Sequence, residues 1–202
     1  MPGHPQKLAL TAVGSRRMAL LCGRIHEYEG FDLAEVQLPV RTLAAWGLRG
    51  VIVTSAGGAV RRGLTPGSVV VAEQVLDLQY CGDAGAPELL EATDPALLDA
   101  VRHRCGAPTW LRRGVHASVP GPQYETPAEL CALRAAGVAT VSMTPAAELR
   151  AARDVGLKVA VVTVVTNAGD TTHAAVLKAS GRAADALTQV VTALADVWEA
   201  GA

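Results

Sequence analysis

The segment Lys158–Thr166 restricts the fold more than any other stretch of the chain, because Val and Thr fill most of it. Runs of this kind are typical of a central strand that is buried on both faces of a sheet. A second, shorter run of Val and Ile, Gly50–Thr54, has the same character. Because both faces of such strands must be covered, the rest of the chain has to supply helices on the two sides of a sheet.

Helix signals are found between and after these strands. The segment Val36–Trp46 carries apolar residues at helical spacing, and Gly47 after it is a typical stop. Pro39 is predicted near the first turn of this helix, where a missing N–H is harmless. A last amphipathic helix is predicted from His173 to about Trp198.

Three other helix starts combine a short polar residue with proline. Asp94-Pro95 pairs a capping side chain with proline in the first turn. Thr126-Pro127-Ala128-Glu129 is a capping box, and Thr144-Pro145 repeats its opening at a strand-to-helix switch. Further strands are predicted at Val69–Leu78, Val115–Val119 and Ala139–Met143. These elements predict an α/β fold with a central mixed β-sheet flanked by helices.

Length and composition favour one domain and exclude several classes of partner. The chain has 202 residues, half of them hydrophobic and few aromatic, and we expect a single domain over 1–202. Nucleic acid or a membrane surface would need a concentrated positive field, whereas the net charge is −1. No apolar run spans a bilayer and no signal-peptide core opens the chain. The cysteines form no C-x-x-C pair, which suits a reduced cytoplasm: Cys22, Cys81, Cys105 and Cys131.

The first polar loop follows a predicted hairpin, Lys7–Val13 and Arg17–Cys22, whose strands are joined by Gly14-Ser15. The loop itself, Gly23–Gly30, concentrates chemically able side chains between two glycines.

Within that loop, Arg24 offers a planar fork of donors suited to phosphate, and His26 can donate to an oxyanion. Tyr28 can reach a hydroxyl, and Glu29 can orient its neighbours. The pattern predicts an anion-binding loop, with a solvated charged loop as the alternative.

Other candidate positions follow predicted strands. The small residues Ser55–Ala59 are predicted to form a loop in which a ligand can approach the backbone, although an ordinary turn is the alternative. Their spacing fits neither the dinucleotide fingerprint nor the Walker loop. Glu125 precedes a capping box, and Thr144 stands at a helix start, where a hydroxyl can bind phosphate or simply cap. Asn167 ends a buried strand, where ligands bind in α/β sheets.

Together these motifs resemble the trimeric purine nucleoside phosphorylase family. The matching segments occur in family order: Pro2-Gly3-His4, Gly23–Gly30, Gly121–Glu129, Val141–Thr144 and Thr166-Asn167. The resemblance covers nearly the whole chain and implies a nucleoside phosphorylase-like domain that assembles as a homotrimer. It also implies phosphorolysis of 6-oxopurine nucleosides such as inosine and guanosine, with phosphate as co-substrate and with no cofactor or metal.

The resemblance further implies which residues hold each substrate. Phosphate is expected on Arg24, His26, the Ala56 backbone and the Thr144 hydroxyl. The nucleoside is expected on Tyr28, Tyr124, Glu125, Met143, Asn167 and His173. Glu29 is expected to support the phosphate loop from behind, and the catalytic roles fall on His26, Glu125 and Asn167.

The reaction explains these residue types. Phosphorolysis breaks the bond between ribose C1′ and purine N9 through a cationic sugar, and the base leaves with negative charge. Glu125 can accept from N1–H of a 6-oxopurine, while the Asn167 amide can donate to N7 or O6, a bond that strengthens as the base leaves. Adenine lacks N1–H, and each polar group left unpaired costs about 1–3 kcal/mol.

The chain departs from the family pattern in two regions. Members carry a strand and a Ser/Gly-rich phosphate loop ahead of the part that resembles Pro2-Gly3-His4, and we expect this chain to lack both. The segment Gly82–Thr93 is shorter than in the family. Two other hypotheses therefore stay open: a degenerate nucleoside-binding or scaffold subunit with little turnover, and a phosphorylase of another nucleoside such as a methylthio-nucleoside, whose relatives carry Asp near the position of Asn167.

Overall fold

The computed structural model describes residues 5–13, 16–80, 86–168 and 183–198. The strands are β1 (Lys7–Val13), β2 (Arg16–Cys22), β3 (Gly50–Ala59), β4 (Val69–Asp77), β5 (Glu88–Glu91), β6 (Leu111–Ser118), β7 (Val138–Ser142) and β8 (Lys158–Asn167). The helices are α1 (Leu33–Ala45), α2 (Pro95–Arg104), α3 (Pro127–Ala135), α4 (Ala146–Asp154) and α5 (Ala184–Val197), and a short 3-10 helix covers Glu27–Glu29.

The main sheet is built around β8. This strand pairs in parallel with β3 and antiparallel with β4. From β4 the sheet continues in parallel through β6 and β7, and β7 then returns antiparallel to the end of β3. The five strands thus close on themselves, and β5 extends the sheet beyond β4. The predictions of a mixed sheet and of a central strand at Lys158–Thr166 are confirmed.

Helices cover both faces of β8. On one face Val162 joins a buried cluster with Leu98 of α2 and Leu194 of α5. On the other face Val161 joins a cluster with Leu149 of α4. Consecutive valines therefore enter opposite halves of the core, and burying each such side chain stabilises the fold by about 1.5–3 kcal/mol. This is why the strand needs an unbroken β-branched run.

Helix α1 begins three residues earlier than the sequence pattern predicted. The Asp32 side chain accepts from the Glu35 N–H at 2.8 Å, and the Glu35 carboxylate accepts from the Asp32 N–H at 2.8 Å, which forms a capping box. Pro39 consequently lies inside the helix, and its predicted place in the first turn was wrong. Gly47, with φ +89°, follows the end of the helix as predicted.

The segment Ser55–Ala59 continues β3 as strand, so its prediction as a loop was wrong. A bulge lies between Gly57 and Gly58, where the strand meets both β7 and β8. A Cβ at Gly57 would stand 2.7 Å from the Thr163 side chain and 2.7 Å from the Val141 carbonyl oxygen. The small residues therefore let strands approach closely, and sheet pairing overrides the turn preference of a Gly-Gly pair.

The predicted caps have different outcomes. Asp94 caps α2 by accepting from the Ala96 N–H at 2.7 Å, and Thr126 caps α3 by accepting from the Glu129 N–H at 3.3 Å, both as predicted. Pro145 rather than Thr144 occupies the cap of α4, and its side chain makes no capping bond. Thr144 therefore lies one residue before the cap position, and its backbone N–H donates to the Ser142 hydroxyl at 3.4 Å.

Strands β1 and β2 pair antiparallel, which confirms the predicted hairpin. They form a two-stranded sheet of their own, with most residues exposed. The turn at Gly14-Ser15, the loop residues 81–85 and His173 lie outside the described residues. No helix in the described ranges is long and apolar enough to cross a membrane.

Candidate active site

The guanidinium of Arg24 is held in place by helix α4 and strand β3. Its Nε forms an ion pair with Oε1 of Glu148 in α4, and its Nη1 donates to the carbonyl oxygen of Thr54 in β3 at 2.8 Å. Both side chains of the ion pair are largely buried. Two such anchors fix the orientation of the planar guanidinium, which is a group that can bind phosphate.

His26 is oriented by the carboxylate of Glu29. Nδ1 of His26 lies 2.8 Å from Glu29 Oε1, which also accepts from the His26 backbone N–H at 3.1 Å. Since a carboxylate only accepts, Nδ1 of His26 carries a proton and donates to Glu29. Burial raises the pKa of Glu29, but its bonds to His26 outweigh burial and the net pKa is lowered. Tyr28 stacks on His26 with ring centroids 4.7 Å apart.

A pocket next to Arg24 collects several of the predicted residues. Its lining contains His26, Met143 and Thr144, which brings the loop after β2 against the end of β7. Thr144 is itself buried, at 7% exposure. Three of the predicted phosphate and ribose positions therefore meet in one place, and the ion-paired Glu148 completes the same wall.

The pocket also contains residues that the sequence did not single out. Gln79 donates from Nε2 to the Met143 carbonyl oxygen at 3.3 Å, which fixes the backbone of that residue. Tyr80 bonds to the carboxylate of Glu27, and burial together with the Glu27 charge raises the pKa of the phenol. Burial also raises the pKa of Glu27, which the bond from Tyr80 partly offsets. The Tyr80 hydroxyl therefore stays protonated and donates to Glu27.

Asn167 lies at the carboxyl end of β8 with its amide oriented by Thr166. The single proton of the Thr166 hydroxyl has two acceptors within reach, Asn167 Oδ1 at 3.1 Å and the Gly57 carbonyl oxygen at 3.2 Å. A Cβ on Gly58 would come within 3.2 Å of Asn167 Nδ2, so the amide rests over that glycine. With Oδ1 facing the Thr166 hydroxyl, the side chain can present its NH₂ to a ligand.

Glu125 stands on the loop before α3 and is half-buried. Burial raises the pKa of its carboxyl, and the charge of Glu129 raises it further, although a bond from its own backbone works the other way. The loop packs on Met143, since a Cβ at Gly121 would fall 2.5 Å from the Met143 sulfur. Tyr124 of the same loop is 47% exposed.

The predicted residues are thus brought together unevenly. His26, Met143 and Thr144 line one pocket, and Arg24 is joined to its wall through Glu148. Ala56 follows two residues after Thr54, whose carbonyl oxygen accepts from Arg24, and is exposed. The pKa of Tyr28 is raised by burial and then by Glu29 and Tyr124. Within the described part of the chain no hydrogen bond joins Glu125 to Asn167, and no group of three or more His, Cys, Asp or Glu side chains could hold a metal ion.

An anchored arginine, a histidine and a buried hydroxyl beside one pocket can together hold an anionic small molecule. Comparison with known proteins agrees. The model of the Phosphorylase superfamily matches residues 2–196. The purine nucleoside phosphorylase of Mycobacterium tuberculosis is 38% identical, and the alignment covers 96% of this chain and 74% of that protein. The corresponding protein of Mycobacterium leprae is 36% identical, with the same shares covered.

A solved structure of the schistosoma purine nucleoside phosphorylase in complex with hypoxanthine superimposes with a TM-score of 0.85 and 26% identity, covering 96% of this chain and 80% of that one. The chain belongs to the phosphorylase superfamily and, within it, to the purine nucleoside phosphorylases. It is therefore a pentosyltransferase, and the family and fold expected from the sequence are confirmed.

Proposed function

We propose that the protein cleaves 6-oxopurine nucleosides by phosphorolysis, releasing the base and ribose 1-phosphate. Phosphate is the co-substrate and binds at Arg24, His26, the Ala56 backbone and Thr144. The observation that carries this proposal is the double anchoring of Arg24, because its partner Glu148 lines the same pocket as His26 and Thr144 and the guanidinium is thereby held next to that pocket.

The sugar becomes cationic as its bond to the base breaks, so the phosphate acts both as nucleophile and as counter-charge. In this proposal Tyr28, Tyr124, Met143 and His173 surround the nucleoside. Arg24 and His26 hold the anion against C1′, so that the attack takes place between two partners already oriented toward each other.

Base recognition is assigned to Glu125 and Asn167. The oriented NH₂ of Asn167 donates to N7 or O6 of the purine, and the Glu125 carboxylate accepts from N1–H. Adenine has no N1–H and carries an amino group in place of O6, so it leaves these groups unpaired. One such mismatch costs about 1–3 kcal/mol, which corresponds to at least a fivefold lower rate and, with two mismatches, to well over tenfold.

The test of base selection is the initial rate on inosine, guanosine and adenosine at saturating phosphate. We expect inosine and guanosine to react at least about tenfold faster than adenosine. Equal rates on the three nucleosides would remove Glu125 and Asn167 from the base site while leaving the pentosyltransferase assignment intact. Asn167→Asp should raise the relative rate on adenosine, since a carboxylate accepts from an amino group.

We also propose, from the family resemblance, that the protein forms a homotrimer and works in the cytoplasm. Light scattering on the purified chain measures the first of these properties directly. A monomer or dimer mass at micromolar concentration would contradict it.

A further inference from the structure

A buried histidine outside the proposed substrate contacts connects three strands. His116 of β6 is fully buried, and its Nδ1 lies 2.9 Å from the Thr140 hydroxyl and 3.1 Å from the Thr163 hydroxyl. Its Nε2 lies 2.8 Å from the Thr144 carbonyl oxygen and 3.0 Å from the Ser142 hydroxyl. Both ring nitrogens are therefore fully engaged inside the protein.

The partners determine the direction of these bonds. A carbonyl oxygen only accepts, so Nε2 of His116 carries the proton and donates to Thr144. Burial lowers the pKa of His116 to about 4, with a smaller contribution from the positive charge of Arg24 and an opposing one from the bond to Thr144. The ring is therefore neutral near pH 7, and Nδ1 accepts from a threonine hydroxyl.

The bonds continue on the other side of the ring toward β3. The hydroxyl of Thr163 lies 2.9 Å from that of Ser55, the residue after the Arg24 anchor Thr54. A single hydrogen-bonded series thus runs from Ser55 through Thr163 and His116 to the Thr144 carbonyl. This series links β3, which holds Arg24, to Thr144, whose hydroxyl is assigned to phosphate.

Strand β6 also supports the start of α4 at a second point. The Ser118 hydroxyl accepts from the Ala146 N–H at 3.2 Å. Strand β6 therefore holds the turn between β7 and α4 at two points: His116 bonds the Thr144 carbonyl oxygen, and Ser118 bonds the first N–H of the helix. The Pro145 side chain provides no cap for helix α4, and the Ser118 hydroxyl instead satisfies the N–H of its first residue.

We propose that His116 is a positioning residue for phosphate, which holds the Thr144 peptide so that its hydroxyl and the guanidinium of Arg24 face the same anion. This inference rests on the proposed function, in which Thr144 binds phosphate. It does not make His116 a catalytic residue, since the ring contacts only the protein's own strands.

The experiment compares two polar replacements of different reach. Asn at position 116 can satisfy the threonine hydroxyls near Nδ1 but does not extend to the Thr144 carbonyl, whereas Gln extends that far and can donate there. We expect His116→Asn to raise the KM for phosphate by about tenfold, with the KM for inosine changed less than about threefold. His116→Gln should return the phosphate KM to within about threefold of the wild type.

Thr93→Val is the matched control. Thr93 is buried and its hydroxyl accepts from the Val161 N–H at 3.1 Å, so this variant also removes one interior hydrogen bond, but away from the phosphate residues. It should lower the melting temperature and leave both KM values within about twofold.

The outcomes separate the inference from the proposed function. A phosphate KM that stays unchanged in His116→Asn, or that rises equally in Thr93→Val, would overturn the positioning role alone. A wild-type rate that does not saturate with phosphate would overturn the phosphate site itself, and the positioning role with it. A phosphate KM that rises selectively in His116→Asn and stays near the wild-type value in His116→Gln supports both the positioning role and the phosphate site.

Discussion

The phosphate half and the base half of the proposed site are built in different ways. Arg24 and Thr144 are held by buried partners from β3, β6 and α4, whereas Glu125 and Tyr124 stand on a half-exposed loop before α3. A charged side chain that is anchored at two points is in position before the ligand binds, but its substitution also disturbs the fold. A carboxylate on a loop can be replaced with little effect on the fold. Substitutions in the two halves should therefore differ in kind as well as in size.

The largest expected effect is that of Arg24→Ala. It removes the charged contact to phosphate and leaves the Glu148 carboxylate buried without its cation, so we expect the phosphate KM to rise about a hundredfold and stability to fall by about 1.5–3 kcal/mol. Both are measurable by steady-state kinetics and urea unfolding. Arg41→Ala is the control, because its pair with Asp154 is exposed and should contribute less than about 1 kcal/mol.

The double variant Arg24→Ala/Glu148→Gln separates the two consequences. Removing the stranded charge should restore most of the lost stability without restoring phosphate affinity. If phosphate affinity also returned, the arginine would serve the fold and not the ligand.

The next effect concerns the pH dependence of stability, which should reside in the phosphate half. The pKa of His116 is about 4 in the folded protein, below the ordinary value near 6.5, so the unfolded state binds more protons between these limits. Stability should be full above about pH 6.5 and fall by about 3 kcal/mol as the pH drops toward 4. When urea unfolding is measured at several pH values, the free energy of unfolding of His116→Gln should fall by about that much less than the wild type's over this pH range. An equal fall in both proteins would contradict the burial of a neutral histidine.

Smaller effects are expected in the base half. Glu125→Gln should lower the preference for inosine over adenosine by about tenfold, because an amide no longer accepts from N1–H with a charge. The melting temperature should hardly move, since Glu125 lies on a loop and gains no stability from a charged form that burial disfavours. A large loss of stability would place Glu125 in the framework and not in the base site.

The smallest effect is expected for Glu29→Gln. The neutral amide still reaches His26 but accepts more weakly, so the phosphate KM should rise by about two- to fivefold with the inosine KM unchanged. An equal rise in both values would indicate that Glu29 supports the whole loop and not the histidine.

The same contrast explains what could be predicted from the sequence. Capping residues before proline and the β-branched run of β8 are local patterns, and they identified Thr126, Asp94 and the central strand correctly. The candidate loop after β2 was found for the same reason, since its reactive residues are adjacent.

The support of the site was missed because it is non-local. Glu148 reaches Arg24 across 124 residues, and His116 reaches Thr163 across 47, so no spacing rule could pair them. Glu148 was visible only as an acidic residue in a first helical turn, and His116 only as one polar residue in a strand. Ser55–Ala59 was misread because close strand packing selects the same glycines as a turn.

The product of the reaction with inosine tests the account most directly. Wild-type protein incubated with inosine and increasing phosphate should release hypoxanthine and ribose 1-phosphate in equal amounts, at a rate that saturates with phosphate. Release of free ribose at a rate independent of phosphate would contradict the account. So would hypoxanthine binding, measured by calorimetry, without any turnover across the phosphate range, since that result describes a scaffold subunit.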